Sequence, residues 1–183
     1  MKAIARLIVK MCGWKIKENY PEINKSVCIM APHTSMLDFI WGKLYFMSLG
    51  IKPRFLIKSE MFTWYFAWLL KALGGVPVHR KAPVGLVGQL LGYFNSNNKF
   101  TLVITPEGTR KRVSKWKTGA LRIANEANVP LVVGRMDYKK KEMGIVKVYN
   151  EIPRDLHFIN TIKKDFEGIV PRHPEKVDLY YEQ

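Results

Sequence analysis

Short apolar runs alternate along the chain with longer helix-like segments, and this alternation restricts the possible folds more than any other feature. The runs have the length of strands and predict them over 27–31, 54–58, 76–78, 100–105, 130–135 and 144–149. The intervening and following segments predict helices over 38–49, 61–70, 84–95, 118–128 and 159–169. Strands that alternate with helices predict an α/β fold, in which a mixed, mostly parallel sheet is flanked by helices.

The chain predicts a single domain over residues 1–183, because it contains no repeat, linker or low-complexity tract. Within it, residues 1–20 predict an N-terminal amphipathic helix and residues 25–150 carry the motifs described below. The first apolar stretch is interrupted by Lys10 and is therefore not typical of a signal peptide. We expect the two cysteines, Cys12 and Cys28, to be reduced thiols facing the cytoplasm.

The charge balance indicates an anionic partner. Thirty lysines and arginines stand against fifteen carboxylates, which gives a net charge of +15. The surplus lies in residues 1–150, which carry 25 basic and 8 acidic side chains, because residues 151–183 hold five basic and seven acidic ones. A nucleic acid, an anionic membrane and a phosphorylated substrate all fit this composition.

The N-terminal segment has two faces when it is wound as a helix. Its apolar side chains share one side and its basic side chains share the other: Ile4, Leu7, Ile8, Met11 and Trp14 against Lys2, Arg6, Lys10 and Lys17. A basic amphipathic helix suits the surface of an anionic bilayer. An ordinary surface helix packed on the core is the alternative.

An aromatic run over residues 61–70 is the second candidate for membrane contact. It is too short to cross a bilayer, which takes about 20 apolar residues. Trp64, Tyr65 and Trp68 are residue types that suit the headgroup boundary. A buried helix is the alternative.

His33 and Asp38 follow the first predicted strand. On a continuous helix, their five-residue spacing would turn the two side chains roughly 140° apart. They can therefore meet only if His33 lies on a loop and Asp38 lies in the first turn of the next helix. A histidine held by a carboxylate is the usual general base for a hydroxyl. A capping aspartate and an unrelated loop histidine are the alternative.

A second polar motif, residues 105–110, follows the strand predicted over 100–105, where ligands of α/β folds gather. Gly108 lets a backbone approach a ligand, Thr109 offers a hydroxyl, and Arg110 can form two hydrogen bonds to a phosphate. Glu107 could orient Arg110 or accept a hydrogen bond from a substrate hydroxyl. A polar turn with a surface arginine is the alternative.

Together, in this order and at these intervals, the motifs resemble those of the glycerolipid acyltransferase family. His33 and Asp38 match its His-x4-Asp block, and residues 106–110 match its Pro-Glu-Gly-Thr-Arg block. Gly75 and Arg80 resemble a Gly-x4-Arg block between them, and residues 129–133 resemble a final apolar block with proline. The resemblance covers residues 25–150.

The resemblance implies a reaction and a set of residues for it. His33 would deprotonate an acceptor hydroxyl, which attacks the thioester of an acyl-CoA or an acyl carrier protein, and Asp38 would orient His33. No metal and no bound organic cofactor would be required. The acceptor phosphate would be held by Arg80 and Arg110 in a pocket shaped by Glu107, Gly108 and Thr109, with Lys58 as a further candidate.

The implied acceptor is a lysophospholipid, first 1-acylglycerol 3-phosphate, with glycerol 3-phosphate, another lysolipid or an aminolipid as alternatives. The implied location is peripheral, on the cytoplasmic face of an anionic membrane. A non-catalytic lipid-binding protein of the same fold and a basic nucleic-acid-binding protein are rival interpretations. We expect no nucleic-acid partner, because no nucleic-acid-binding module is recognisable and the aromatics cluster apart from the basic groups.

Overall fold

The computed structural model describes residues 1–17, 19–65, 67–79 and 85–178. The helices are α1 (Lys2–Met11), α2 (Met36–Leu49), α3 (Ala67–Ala72), α4 (Gly85–Ser96), α5 (Gly119–Glu126) and α6 (Phe158–Lys164). The strands are β1 (Lys15–Ile16), β2 (Lys25–Ala31), β3 (Pro53–Lys58), β4 (Gly75–Val78), β5 (Phe100–Ile104), β6 (Leu131–Asp137) and β7 (Glu142–Tyr149). Single 3₁₀ turns cover Ser59–Met61 and Pro174–Lys176.

The described strands form one seven-stranded sheet in the order β1-β7-β6-β2-β5-β3-β4. Every neighbouring pair is parallel except β6 and β7, which are antiparallel. The predicted mixed, mostly parallel α/β sheet is thereby confirmed. Because β2, β3 and β5 are parallel neighbours, the loops that follow them meet at one edge of the sheet.

The sheet separates two apolar clusters, because successive side chains of a strand point to opposite faces. In β2, Val27 and Ile29 join the cluster on the side of α4, α5 and α6, whereas Cys28 between them joins the cluster of α1 and α2. The sheet is therefore covered by helices on both faces, as a mostly parallel sheet requires.

The N-terminal helix is shorter than the predicted 1–20. Gly13 has φ +76°, and Lys15 and Ile16 form β1, which pairs with β7. Ala5 and Val9 of α1 are buried on the side of α2. Four of the side chains predicted as the apolar face are exposed: Ile4, Leu7, Ile8 and Met11. The fifth, Trp14, follows the helix and is buried.

Within the aromatic run 61–70, residues 62–65 are not helical and α3 begins at Ala67, so the helix predicted there is too long. Trp64 and Trp68 are 89% and 69% exposed, and α3 has no buried residue. The buried-helix interpretation of this run is therefore wrong. Aromatic residues are mediocre helix formers, and here no packing in the core compensates for that.

No helix in the described part of the chain is both long enough and apolar enough to pass through a bilayer.

Candidate active site

His33 lies on the loop between β2 and α2, and Asp38 lies in the first turn of α2. Ser35 begins the helix with a capping box, in which its hydroxyl oxygen accepts from the Leu37 amide at 3.2 Å. In return, Asp38 Oδ2 accepts from the backbone amides of Thr34 and Ser35 at 2.7 and 2.8 Å. This local motif turns the Asp38 carboxylate back over the loop, towards His33.

The same carboxylate oxygen contacts the imidazole. His33 Nδ1 and Asp38 Oδ2 are 3.2 Å apart. An ionised carboxylate only accepts hydrogen bonds, so Nδ1 carries the proton in this pair and Nε2 is left as the acceptor. Asp38 therefore caps the helix, as the alternative interpretation has it, but it also contacts His33, so the histidine is not unrelated to it.

Tyr138 follows β6, the strand next to β2, and completes the environment of Asp38. The Tyr138 hydroxyl donates to Asp38 Oδ1 at 2.6 Å. Burial raises the pKa of Asp38, but the hydrogen bonds from His33, Tyr138 and two backbone amides outweigh it and hold the pKa below its ordinary value. Burial and the bond to Asp38 raise the pKa of Tyr138, so the phenol remains a donor.

Glu107 links the second motif to the first. Its Oε1 accepts from the backbone amide of His33 at 3.0 Å, and its side chain is buried. Burial raises the pKa of Glu107 to about 7, although hydrogen bonds to its carboxylate oppose the rise. Oε2 finds no partner among the described residues. Glu107 thus holds the loop of His33, and it makes no ion pair with the exposed Arg110 among the residues that the structure describes.

Lys117 occupies the space beside the second motif. Gly108 has φ +63°, and a Cβ at this position would lie 2.6 Å from Lys117 Nζ. The Lys117 amide donates to the Pro106 carbonyl at 2.9 Å, which holds the lysine against the loop. The positive φ favours glycine here, whereas the flexible end of the Lys117 side chain could move aside for a Cβ.

The residues expected to bind phosphate are distributed unevenly. Gly108 lines the pocket described below, whereas Arg110 is exposed on the loop after β5 and Lys58 is exposed at the end of β3. Thr109 is half-buried, and its hydroxyl accepts from the Lys111 amide at 3.3 Å. The expectation for Arg80 falls outside the described residues.

An apolar pocket of about 480 Å³ opens beside His33 at the carboxyl edge of the sheet. Gly42 of α2 and Gly119 of α5 line it where an added Cβ would touch nothing within 4 Å. Most of the remaining lining is apolar, and its larger members include Phe39, Phe46, Phe55, Leu86, Val103, Ile123 and Met136. The pocket therefore offers an extended apolar ligand a place that ends at a potential base.

Two residues of the site were missed by the sequence analysis. Tyr138 is a hundred positions from Asp38, and nothing in the local pattern marks it. Lys117 follows the second motif in the basic segment 110–117, and its place beside a ligand pocket was not distinguishable from that of its neighbours.

Within the described ranges, no group of three or more histidines, cysteines or carboxylates is arranged to hold a metal ion. Because Asp38 engages Nδ1, His33 is arranged to accept a proton at Nε2. Such a base activates a hydroxyl when the acceptor lies within hydrogen-bond reach.

Comparison with known proteins agrees with this geometry. The family model described as Acyltransferase matches residues 14–135. A probable 1-acyl-sn-glycerol-3-phosphate acyltransferase from Mycoplasma pneumoniae (strain ATCC 29342 / M129 / Subtype 1) is 33% identical over 138 residues. That match covers 68% of this chain and 51% of the relative, so the chain spans about half the length of the relative.

Among solved structures, the crystal structure of the 1-acyl-sn-glycerophosphate (LPA) acyltransferase PlsC from Thermotoga maritima shares the fold. It superposes with a TM-score of 0.59 at 14% identity, covering 89% of this chain and 73% of that one.

Proposed function

The chain belongs to the acyltransferase family, and from that premise we propose that it transfers a fatty acyl group from a thioester to a hydroxyl of a lysophospholipid, 1-acylglycerol 3-phosphate. The donor is an acyl-CoA or an acyl carrier protein, and the reaction serves phospholipid synthesis. The observation that carries this proposal is the contact of His33 Nδ1 with the buried Asp38 carboxylate, 3.2 Å away, beside an apolar pocket.

The proposed reaction begins at His33 Nε2. This nitrogen takes the proton of the acceptor hydroxyl, and the oxygen attacks the thioester carbonyl carbon. The tetrahedral intermediate then collapses: the C–S bond breaks, the ester forms, and the imidazolium returns its proton to the departing thiolate. Asp38 stabilises the imidazolium between these two transfers, and the low pKa of Asp38 keeps it charged for that role. No metal or bound organic cofactor takes part, and the thioester is a co-substrate.

The acyl chain occupies the apolar pocket in this proposal. Each CH₂ group removed from water contributes about 0.8 kcal/mol, so an apolar cavity beside the base favours a long chain over a polar one. Gly42 and Gly119 keep the walls of the pocket free of side chains.

The acceptor phosphate binds at the loop of the second motif. Lys117, which lines the pocket beside Gly108, is the best placed of the described cations. Arg110 and Lys58, both exposed at the same edge of the sheet, approach the phosphate from outside, with Arg80 as the residue matched by family resemblance.

The protein acts as a peripheral protein on the cytoplasmic face of an anionic membrane. Support comes from the exposed apolar side of α1 and from the exposed Trp64 and Trp68. Both lie in the strongly basic part of the chain, which complements an anionic lipid surface. In this proposal the excess of lysines and arginines binds lipid, and the protein binds no nucleic acid.

The test is transfer from a labelled acyl thioester to a panel of acceptors. Wild type is expected to acylate 1-acylglycerol 3-phosphate faster than glycerol 3-phosphate, other lysolipids or an aminolipid, with acyl-CoA and acyl carrier protein compared as donors. His33→Ala should lose about 10²- to 10⁴-fold in rate with its melting temperature preserved.

The matched control is His157→Ala, which removes an exposed imidazole outside the pocket and should keep full activity. Transfer at the wild-type rate by His33→Ala would overturn the mechanism. A preference for another acceptor would replace the substrate and leave the mechanism in place.

A further inference from the structure

A second pocket, of about 890 Å³, lies at the opposite edge of the sheet from His33. It is formed by the beginning of α1, the end of α2, the segment 19–24 and the amino ends of β3 and β5. β2 runs from this edge to the loop of His33, and its seven residues span roughly 20 Å at the usual rise of a strand. A ligand bound here is therefore not the acceptor at the reacting centre.

The side chains that line this second pocket are strongly basic. Its cations are Lys2, Arg6, Lys52, Arg54 and Lys99, and its one carboxylate is Glu22. None of these five cations makes an ion pair with a described residue. Arg6 Nε donates to the Ser48 carbonyl at 3.0 Å, which fixes the guanidinium at the pocket while leaving its terminal nitrogens available.

The composition of the pocket suits a phosphate group. Two arginines offer planar pairs of donors, and three lysines add point charges around them. The charge of one of these arginines also acts on a lysine outside the pocket. The pKa of Lys43 is lowered by its burial and, to a smaller extent, by the charge of Arg54.

The surroundings of the pocket indicate where the phosphate comes from. Lys2 and Arg6 belong to α1, and the same helix exposes Ile4 and Leu7 to solvent at 62% and 57%. A soluble anion would use only the cations. Lys2 and Arg6 lie on the basic side of α1, away from Ile4 and Leu7. A helix that inserts its exposed apolar side into a bilayer holds such cations at the level of the headgroups, where the phosphate of a phospholipid can enter the pocket.

We propose that this second pocket binds the phosphate group of an anionic glycerophospholipid and thereby holds the amino end of α1 at the membrane. The site is separate from the reacting centre, and it can be measured without an acyl donor. A result that shows no lipid binding at this pocket is therefore distinguishable from a result that shows no acyl transfer.

The first test is sedimentation with vesicles of phosphatidylcholine, with and without phosphatidylglycerol. Lys52→Gln/Lys99→Gln removes two exposed pocket cations that lie outside α1, so the amphipathic helix stays intact. This variant should lose about tenfold in affinity for the phosphatidylglycerol vesicles. Its transfer rate on detergent-solubilised substrates should be unchanged.

The matched control is Arg122→Gln/Arg154→Gln, which removes two exposed charges that line neither pocket. It should lose less than about twofold, since general attraction to a charged surface is weak away from the contact. Equal losses in the two double variants, or no loss in the pocket variant, would refute a specific site.

The second test identifies the source of the phosphate by calorimetric titration with inorganic phosphate and with short-chain phosphatidylglycerol below its micelle concentration. The lipid should bind wild type, and should bind the Lys52→Gln/Lys99→Gln variant at least about fivefold more weakly. Inorganic phosphate binding as tightly as the lipid would overturn the assignment to a phospholipid.

Discussion

Asp38 uses its two carboxylate oxygens for different partners. Oδ2 accepts from two backbone amides and lies 3.2 Å from His33 Nδ1, whereas Oδ1 accepts from Tyr138. Helix capping thus positions the carboxylate of the proposed catalytic pair, because the geometry that begins α2 also points the side chain at the histidine. Substituting Asp38 would therefore disturb the helix and the base together.

Tyr138→Phe separates these effects, because it removes only the hydrogen bond to Oδ1. Without this donor the pKa of Asp38 should rise, and the imidazolium should be less well stabilised. We expect kcat to fall about tenfold with KM unchanged, because Tyr138 does not line the pocket and a hydrogen bond to a charged group contributes roughly 1.5–3 kcal/mol.

The measurement is kcat and KM for Tyr138→Phe against Tyr93→Phe, a half-buried tyrosine on α4 outside the pocket. Stability adds a pH signature. A carboxyl group whose pKa is lowered by folding stabilises the fold at any pH above its pKa in the unfolded chain. That contribution is lost as the pH falls through its pKa in the folded protein. The difference in unfolding free energy between wild type and Tyr138→Phe should therefore become smaller at acidic pH. An unchanged kcat would contradict the positioning role.

The pKa of Glu107 is shifted in the opposite direction, so its contribution to stability depends on pH in the opposite sense. Its pKa is raised to about 7 from an ordinary 4.5, so its contribution to stability is full below the unfolded pKa and is lost as pH rises through the folded one. Glu107→Gln cannot ionise. The unfolding free energy of wild type relative to this variant should therefore fall by about 3 kcal/mol between pH 4 and pH 9.

The measurement is urea unfolding of wild type and Glu107→Gln across that pH range. Glu126→Gln on α5 is the control, since that side chain is exposed. A difference in unfolding free energy between wild type and Glu107→Gln that does not change with pH would contradict the raised pKa of Glu107.

At the scale of elements, α2 supplies both the capping motif and one wall of the apolar pocket. Gly42 lies in the middle of this helix and lines the pocket, at a point where an added Cβ would meet no neighbour within 4 Å. Glycine destabilises a helix by about 1 kcal/mol relative to alanine. Gly42 therefore lowers the stability of α2 and leaves the pocket open.

Gly42→Leu should shorten the acyl chain that the enzyme accepts. Each methylene that is displaced from the pocket costs about 0.8 kcal/mol, or roughly fourfold in kcat/KM for the longest donors. Stability should not fall, because leucine is the better helix former. The measurement is kcat/KM over acyl thioesters of increasing length.

Gly92→Leu on α4 is the control for this change. Gly92 also lies in a helix with open space around it, but it does not line the pocket. The control should gain helix stability and keep the chain-length profile. The same profile in both variants would show that the apolar pocket does not receive the acyl chain.

At the scale of the whole molecule, we propose that the exposed apolar side of α1 and the exposed tryptophans contact lipid. Trp64→Ser/Trp68→Ser should weaken binding to vesicles about tenfold and leave the melting temperature unchanged, since both indoles are largely exposed. The measurement is vesicle sedimentation beside thermal unfolding. Val146→Ser, an exposed apolar residue on β7, is the control. A lower melting temperature with unchanged binding would show that these tryptophans stabilise the fold and do not bind lipid.

The sequence by itself determined the α/β class and the two polar motifs at the ends of strands. Hydrophobic periodicity and capping residues act between near neighbours, so they can be interpreted locally. Parallel strands then bring His33 and Glu107 together, because their strands end at one edge of the sheet. The contact of His33 with Asp38 follows from the same local rules.

The tertiary structure alone decided the rest. An amphipathic pattern is the same for a helix on a core and for a helix on a membrane, so only packing showed that Ala5 and Val9 are buried and that Ile4 and Leu7 are exposed. Tyr138 and the basic pocket depend on residues far apart in the chain. Their contacts arise from how the elements pack, and no local pattern encodes such distances.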